Sequence, residues 1–431
     1  MHLFLRFTLV LLIVSPLGGC KHMGSPYELI APLVQKDHEL SEFGYGAVKE
    51  TKDRSQWNQI EGSELDLHTP KPLLRGKRTY IILQIDGGGI MGIPPSFLAA
   101  ELEKAFQSRP GRKDDRLCDI LSMCSGTSTG AIITGGIAAG VPVPAIADFY
   151  YTKGYDLFQG KGKLPFGPVF QHVLSRKAFQ TEMIETLEEH ALYPPTVRLG
   201  EMDRVPILVF AAYDLVGKRT VFLRNQDHFD APVNTQEIQL IDAISASALS
   251  AAVYFGKLVA PNVILRHVDA DGKSYHRQGA VFADGGQGTQ NTTIELSAVQ
   301  ALQFLKDDPE AQVALISLGC GNEYASRDFS KVLGYNGAAQ VRDYLFRNQA
   351  RSESILMQWL SAQRIEKLDQ RLKVYRFDWE HDPKKASPFS INEEQREFLV
   401  DTAREMKDRP DFQQLLSDIA DSRIPLAQFR E

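Results

Sequence analysis

The chain has 431 residues, of which 43% are hydrophobic and 24% are charged, with 33 Gly, 22 Pro and 4 Cys. This ordinary globular composition excludes fibrous, collagen-like and wholly disordered proteins. The formal net charge of -6 disfavours a nucleic-acid partner, because surfaces that bind nucleic acids are usually strongly basic. The length suits two or three domains, or one large α/β core with appendages.

The amino-terminal segment is the one compositional anomaly. Residues 3–19 are almost wholly apolar apart from Arg6, and they end in small residues just before Cys20. An early positive charge, an apolar middle and a small-residue end are typical of a secretory signal peptide, and the segment is a little short for a spanning helix. The sequence therefore predicts an exported protein.

The tetrapeptide LGGC at positions 17–20 resembles a bacterial lipobox. That resemblance implies that Cys20 carries lipid, palmitate included, and anchors the mature chain to a membrane. Lys21 at the next position points in the same way to the outer membrane, on its periplasmic or surface face. A plain signal peptide and an uncleaved anchor with an incidental cysteine are the alternatives.

The remaining cysteines are Cys118, Cys124 and Cys320, an odd number that forms no paired framework. We expect all of them to be buried, reduced core residues. The chain has no CxxC, no HExxH and no clustered histidines, and so the sequence predicts no metal site.

The organised part of the chain begins with a β-rich run at 79–85. The run breaks at Asp86-Gly87-Gly88-Gly89, and a helix-like stretch follows at 95–106. Strand, glycine turn and helix together aim backbone N–H groups at an anion. The pattern Gly87-x-Gly89-x-x-Gly92 also matches a dinucleotide fingerprint, but residues 107–112 lack the acidic residue and the second strand that this fingerprint requires. We therefore expect no nucleotide cofactor.

A second glycine cluster follows an apolar strand candidate at 117–124. Gly126-x-Ser128-x-Gly130 leads into a helix of small residues at 131–139, which is the pattern of a nucleophile elbow. Glycine is needed two residues before and after the serine because side chains would collide where the strand turns into a closely packed helix. Ser128 would lie at a helix N-terminus, where a developing oxyanion is stabilised.

A third element presents a carboxylate at the end of a strand. Residues 281–283 read as a short buried strand that ends in Asp284-Gly285-Gly286. An aspartate there can accept the serine proton directly if burial or its neighbours raise its pKa toward neutral pH.

This ordered set of motifs resembles the patatin-like phospholipase family. The stretches 206–212, 220–223, 246–255 and 316–319 agree with it, so that the resemblance covers about residues 78–380. It implies an α/β fold with a three-layer α/β/α core and a mostly parallel central sheet.

The resemblance also implies a two-residue catalytic unit. Ser128 would attack an acyl ester of a membrane lipid, and Asp284 would act as general base and then as general acid. Backbone N–H groups of Gly87, Gly88 and Gly89 would stabilise the oxyanion, without a metal or an organic cofactor. The remaining motif positions are Gly92, Gly126, Gly130, Gly285 and Gly286.

Three positions depart from the family pattern. Met91 replaces a basic residue, Asn291 alone is retained from the Asn-Asn-Pro that usually follows the aspartate motif, and Gly256 replaces a proline. The missing basic residue bears on the choice of lipid headgroup and keeps open a non-catalytic lipoprotein with the same fold. A second alternative is an α/β-hydrolase that completes the triad with His381.

The motif spacing indicates one catalytic core with appendages. We expect a signal peptide at 1–19, an amino-terminal tether at 20–76, a patatin-like catalytic domain at 77–385 and a helical extension at 386–431. The sequence leaves the oligomeric state and the lipid headgroup open.

Overall fold

The computed structural model describes residues 58–60, 79–159, 174–228, 230–251, 254–268, 274–287, 290–323, 369–382 and 384–424. The predicted signal peptide, Cys20 and most of the predicted tether lie outside the described residues. Over the described ranges, no helix is both long enough and apolar enough to cross a membrane.

The strands are short and rich in β-branched and aromatic residues. In chain order they are β1 (Asn58–Ile60), β2 (Thr79–Ile85), β3 (Met123–Thr127), β4 (Ile207–Asp214), β5 (Arg219–Arg224), β6 (Leu258–Val268), β7 (Ser274–Asp284), β8 (Gln312–Leu318), β9 (Asn322–Glu323), β10 (Leu372–Phe377) and β11 (Glu380–His381). In the part of the chain that the structure describes, one sheet holds all of these except β9 and β11, which pair with each other.

The sheet is parallel at its centre and antiparallel at one side. Strands β4, β3, β2, β8 and β10 are neighbours in that order and run parallel. Strands β5 and β7 pair with β4 in the antiparallel sense, and β6 and β1 pair with β7 in the same way. The predicted mostly parallel sheet is thus found in the five strands from β4 to the edge strand β10, and β1 shows that part of the predicted tether belongs to the sheet.

Helices connect the strands. In the described ranges they are α1 (Ile93–Gln107), α2 (Thr129–Ala138), α3 (Val143–Phe149), α4 (Tyr155–Phe158), α5 (Arg176–His190), α6 (Leu240–Ala248), α7 (Ile294–Asp307), α8 (Glu393–Lys407) and α9 (Pro410–Ala420), with a π-turn at Tyr150–Gly154 between α3 and α4.

Helices cover both faces of the sheet, as the alternation of side chains along β2 shows. Ile81, Leu83 and Ile85 belong to the larger hydrophobic core, which also contains residues of α1 and α2. Tyr80 and Ile82 belong to a separate core under α7, where Tyr80 stacks on Phe304 with ring centroids 4.5 Å apart. The predicted three-layer α/β/α fold is therefore confirmed.

The described cysteines are buried free thiols, as predicted. Burial raises the pKa of Cys118 to about 12, so that this thiol stays protonated and inert at neutral pH.

The last two helices pack on α1. The guanidinium of Arg109 donates to the carbonyl oxygens of Ile419 at 2.5 Å and Ile424 at 2.9 Å, and Lys407 lies 3.1 Å from Glu101. The helices of the predicted carboxy-terminal extension are thus attached to the body of the fold.

Candidate active site

Two strands end against the same edge of β4. Strand β5 occupies one edge of β4 over residues 209–214, which leaves the other edge to both β3 and β7. Thr127, the last residue of β3, lies opposite Ala211, and Asp284, the last residue of β7, lies opposite Ala212. The residue that follows Thr127 is Ser128, so this junction brings the predicted nucleophile and the predicted base together.

Ser128 forms a sharp turn between β3 and α2. Its backbone has φ 54° and ψ -123°, a conformation that residues other than glycine rarely adopt. A Cβ atom on Gly126 would lie 2.3 Å from the carbonyl of Gly130, and one on Gly130 would lie 2.1 Å from the carbonyl oxygen of Ile85. Only glycine fits at either position, and the turn has the geometry expected of a nucleophile elbow.

The Ser128 backbone is fixed by a side chain from α6. Its N–H donates to the Ser247 hydroxyl at 3.1 Å, and that hydroxyl donates to the carbonyl oxygen of Ala211 at 2.6 Å. Ser128 is 8% exposed, which leaves its side chain accessible at the bottom of a pocket. The hydrogen bond to Ser247 commits the Ser128 amide to the fold rather than to an oxyanion.

Asp284 has the pKa that a general base needs. It is 4% exposed, and burial raises its pKa from 3.8 to about 7, although hydrogen bonds from the Ser128 side chain and the Gly286 amide lower it. The Gly286 N–H lies 2.8 Å from the carboxylate. A carboxylate with a pKa near neutrality can accept the serine proton and later return it.

The glycine loop after β2 offers fewer donors than the sequence predicts. Gly87 donates its N–H to the Asn291 carbonyl oxygen at 3.0 Å and accepts the Asn291 side-chain amide at 3.2 Å. In this structure the predicted donor Gly87 therefore has its amide committed to Asn291. Across the described residues, the amides of Gly88 and Gly89 donate no hydrogen bond, and these two are the candidate donors.

Gly89 is held from two directions. It has φ +56°, and a Cβ atom there would lie 1.9 Å from the carbonyl oxygen of Pro388. The same oxygen accepts the Ile90 N–H at 2.9 Å, while the Thr129 hydroxyl donates to the Gly89 carbonyl oxygen at 2.7 Å. The Tyr150 hydroxyl hydrogen-bonds the Thr129 side chain in turn. Residues within the elbow, after it and far beyond it thus fix this loop.

A small apolar pocket of about 20 Å³ opens over Ser128. Phe158 and Phe179 pack edge to face at 5.1 Å, as do Phe179 and Phe255 at 5.2 Å, and together they form part of its wall. The remaining lining residues are Gly89, Thr129, Ile132, Phe149, Tyr150, Gly154, Ala248, Leu249 and Phe389. The aromatic and aliphatic lining, rather than the volume, suits an apolar group beside the serine.

Of the predicted motif glycines, Gly92 precedes α1, and Gly285 and Gly286 form a turn directly after Asp284. Met91, which replaces the family's basic residue, is buried and donates its N–H to the Gly88 carbonyl oxygen at 3.1 Å. Gly256 has φ +71°, which a proline could not adopt.

His381 lies in β11, away from the pocket lining. It is buried, its ring nitrogen Nδ1 lies 3.0 Å from the Asp382 carbonyl oxygen, and its ring is 4.9 Å from that of Trp379. Among the residues that the structure describes, Ser128 thus has Asp284 as its hydrogen-bond partner, and His381 does not line the pocket. In the described part of the chain, no group of three His, Cys, Asp or Glu side chains could hold a metal ion.

The sequence missed the residues that support the motifs. Ser247 and Asn291 lie in stretches that resemble the family, and this signal could have found them. Tyr150, Pro388 and Phe389 belong to no motif, and nothing local marks them as part of the site.

The model of the patatin-like phospholipase family matches residues 83–296. Patatin of Solanum tuberosum is 26% identical over 275 residues, which are 60% of this chain and 64% of the relative. Patatin group M-2 of the same plant is 26% identical over 280 residues, 61% of this chain and 65% of the relative. The match thus spans less than two thirds of the length of these curated relatives. The solved structure of VipD from Legionella pneumophila aligns with a TM-score of 0.35 and 14% identity, over 80% of this chain and 67% of that one.

The pKa of Asp284 predicts how stability depends on pH. The folded state holds the Asp284 proton more tightly than the unfolded chain, so the free energy of unfolding falls as the pH rises from about 4 to about 7 and is then level. Asp284→Asn carries no such charge. Its stability relative to the wild type should rise over that interval, by at most about 4 kcal/mol.

Urea denaturation of both proteins at pH 4.5 and pH 8 measures this change. Asp401→Asn, which alters an exposed carboxylate on α8, is the control and should show no such change between the two pH values. The prediction would be contradicted if the free energies of unfolding of Asp284→Asn and the wild type differed by the same amount at both pH values.

Proposed function

The chain contains a domain of the patatin-like phospholipase family, and we propose that it hydrolyses acyl esters of lipids through Ser128 and Asp284. The observation that carries this proposal is the pairing of the two side chains. A serine on a strained turn is hydrogen-bonded to a buried aspartate whose pKa is about 7, at the bottom of an apolar pocket.

The proposed reaction has two half-reactions. The Ser128 hydroxyl oxygen attacks the ester carbonyl carbon while Asp284 takes the hydroxyl proton, and the amides of Gly88 and Gly89 stabilise the oxyanion. The intermediate collapses to an acyl-serine, and Asp284 gives the proton to the leaving alcohol. Water then attacks the acyl-serine, Asp284 takes a proton from it, and that proton returns to Ser128 as the fatty acid leaves.

The pocket supports a lipid as the substrate. Its lining is almost wholly aliphatic and aromatic, so that an acyl chain would gain about 0.8 kcal/mol for each methylene that it buries. A polar headgroup finds few partners there and would lie outside, toward solvent. This arrangement suits a phospholipase A or lysophospholipase, which cleave the acyl ester and release the headgroup portion as the leaving alcohol.

We also propose that the enzyme is exported and held at a membrane by a lipid on Cys20. The apolar segment at 3–19 and the LGGC sequence that ends at Cys20 support this proposal. Removal of residues 1–19 takes away Arg6 and no acidic residue, which makes the acidic mature chain more acidic still. Since net charge would not attract it to anionic lipid, the anchor would bring the enzyme to its substrate.

The dyad and the alternative triad predict different effects for Asp284 and for His381. Asp284→Asn should lower kcat at pH 8 by at least about 100-fold, because general base catalysis is lost. His381→Ala should stay within a few fold of the wild type, measured as hydrolysis of a soluble p-nitrophenyl ester per folded molecule. Loss of activity in His381→Ala but not in Asp284→Asn would contradict the proposed dyad.

The substrate class can be tested on a mixed lipid panel. Wild-type enzyme should release free fatty acid from phospholipids or lysophospholipids, detected by mass spectrometry, and Ser128→Ala should release none. A fluorophosphonate probe should label the wild type and not Ser128→Ala. Absence of both product and label in folded wild-type protein would support a non-catalytic lipoprotein instead.

The anchor predicts covalent lipid at one residue. Cells that express the full chain and are fed an alkyne fatty acid should incorporate the label into the wild type and not into Cys20→Ser. Cys118→Ser is the control and should incorporate label as the wild type does, because Cys118 is buried in the fold. Equal labelling of Cys20→Ser would contradict the proposal.

A further inference from the structure

A row of polar side chains crosses the buried face of the sheet under α7. Ser125 on β3, Gln84 on β2, Ser317 on β8 and Arg376 on β10 are successive partners in the parallel register. The first three are fully buried, and the side chain of Arg376 is 5% exposed. Apolar residues fill the rest of this face. Burial of polar side chains costs free energy, so we expect the row to have a function.

The row ends on the aspartate that begins the glycine loop. Arg376 donates from Nη1 to Oδ1 of Asp86 at 3.1 Å and from Nη2 to Oδ2 at 2.5 Å, which is a two-pronged contact. The side-chain amide of Gln84 donates to the same carboxylate at 2.8 Å. Arg376 also donates to the Ser317 hydroxyl at 2.7 Å, and Ser317 donates to Gln84. The carboxylate is thus held on several sides.

The backbone of Asp86 is fixed as well. Its N–H donates to the carbonyl oxygen of Leu318 at 3.0 Å, and its own carbonyl oxygen accepts the Cys320 thiol at 3.1 Å. The candidate oxyanion donors Gly88 and Gly89 follow two and three residues later in the chain. The position of Asp86 therefore determines where those amides point.

Arg376 connects this loop to a second acidic residue. It donates to Asp378 at 2.8 Å, and Asp378 accepts the amides of Gly321 at 3.1 Å and Trp379 at 3.0 Å. Burial disfavours the charge on Arg376, but the two carboxylates outweigh burial and raise its pKa above the ordinary value. The guanidinium is therefore charged at any working pH and joins the loops that follow β2, β8 and β10.

We propose that Arg376 is a positioning residue for the oxyanion loop, which it holds in place through Asp86. This role rests on the proposed hydrolase activity. Buried ion pairs contribute little net stability, because desolvation offsets the attraction, whereas an error of about 1 Å in a catalytic group can cost about 100-fold in rate. Precise positioning of the catalytic groups therefore explains this buried network better than stability does. The region that matches the family model ends at residue 296, well before Arg376.

The proposal predicts a loss in kcat without a change in KM. Lysine keeps the positive charge of Arg376 but is a point charge that cannot make the two-pronged contact. Since oxyanion donors act in the transition state, Arg376→Lys should lower kcat by about 10- to 100-fold and leave KM near the wild-type value. The rate of fluorophosphonate labelling should fall by a similar factor, because phosphonylation uses the same donors.

Arg371→Lys is the matched control. Arg371 makes a two-pronged contact with Asp369, at 3.0 and 2.6 Å. It lies directly before the first residue of β10, whereas Arg376 lies near the last residue of β10, beside the glycine loop. This variant should keep the wild-type kcat and labelling rate. Active molecules are counted in every variant by the final stoichiometry of fluorophosphonate labelling, so that a loss of folded protein does not count as a loss of kcat.

Asp86→Asn provides a second test if Arg376→Lys does not fold. It removes the charge that Arg376 contacts and should also lower kcat per labelled molecule without changing KM. Wild-type kcat per labelled molecule in Arg376→Lys, or in Asp86→Asn where the first variant is unfolded, would overturn the positioning role. Failure of the proposed function is a separate outcome, since the wild type would then show no Ser128-dependent hydrolysis and no label.

Discussion

The edge of β4 is the constraint on which the site depends. A strand has two hydrogen-bonding edges, and β5 occupies one of them along residues 209–214. Strands β3 and β7 must share the other, so they meet end to end, one parallel and one antiparallel to β4. Because β3 continues into Ser128 and β7 stops at Asp284, the mixed sheet itself brings together a serine and an aspartate that are far apart in the chain.

The sequence could predict the parts of the site that local geometry dictates. A tight turn from strand to helix leaves no room for side chains, and that requirement is visible as Gly126 and Gly130 around Ser128. The three-layer fold, the buried cysteines and the pair of Ser128 with Asp284 follow from such motifs and their order. The elbow and the buried strands depend on residues close together in the sequence, whereas the pairing of Ser128 with Asp284 is implied by the resemblance of the ordered motifs to a known family.

The rest of the site depends on partners that are distant in sequence. Nothing near Gly87 in the sequence indicates that its amide donates to Asn291, about two hundred residues later, so the sequence could not distinguish this amide from those of Gly88 and Gly89. Arg376 and Phe389 belong to no motif, and only the register of β10 and the path of the chain after it bring them to the site. The antiparallel side of the sheet was missed for the same reason, since pairing is a property of the fold.

The carboxyl edge of the sheet also concentrates features that oppose stability. Ser128 has an unfavourable φ, Asp284 is a carboxylate in an apolar environment, and Arg376 with Asp86 and Asp378 brings net negative charge into the interior. Each has a function in the proposed reaction, as nucleophile, as base with a pKa near 7, and as support for the oxyanion donors. The two apolar cores on the faces of the sheet offset this cost, which is why the strain can be confined to one edge.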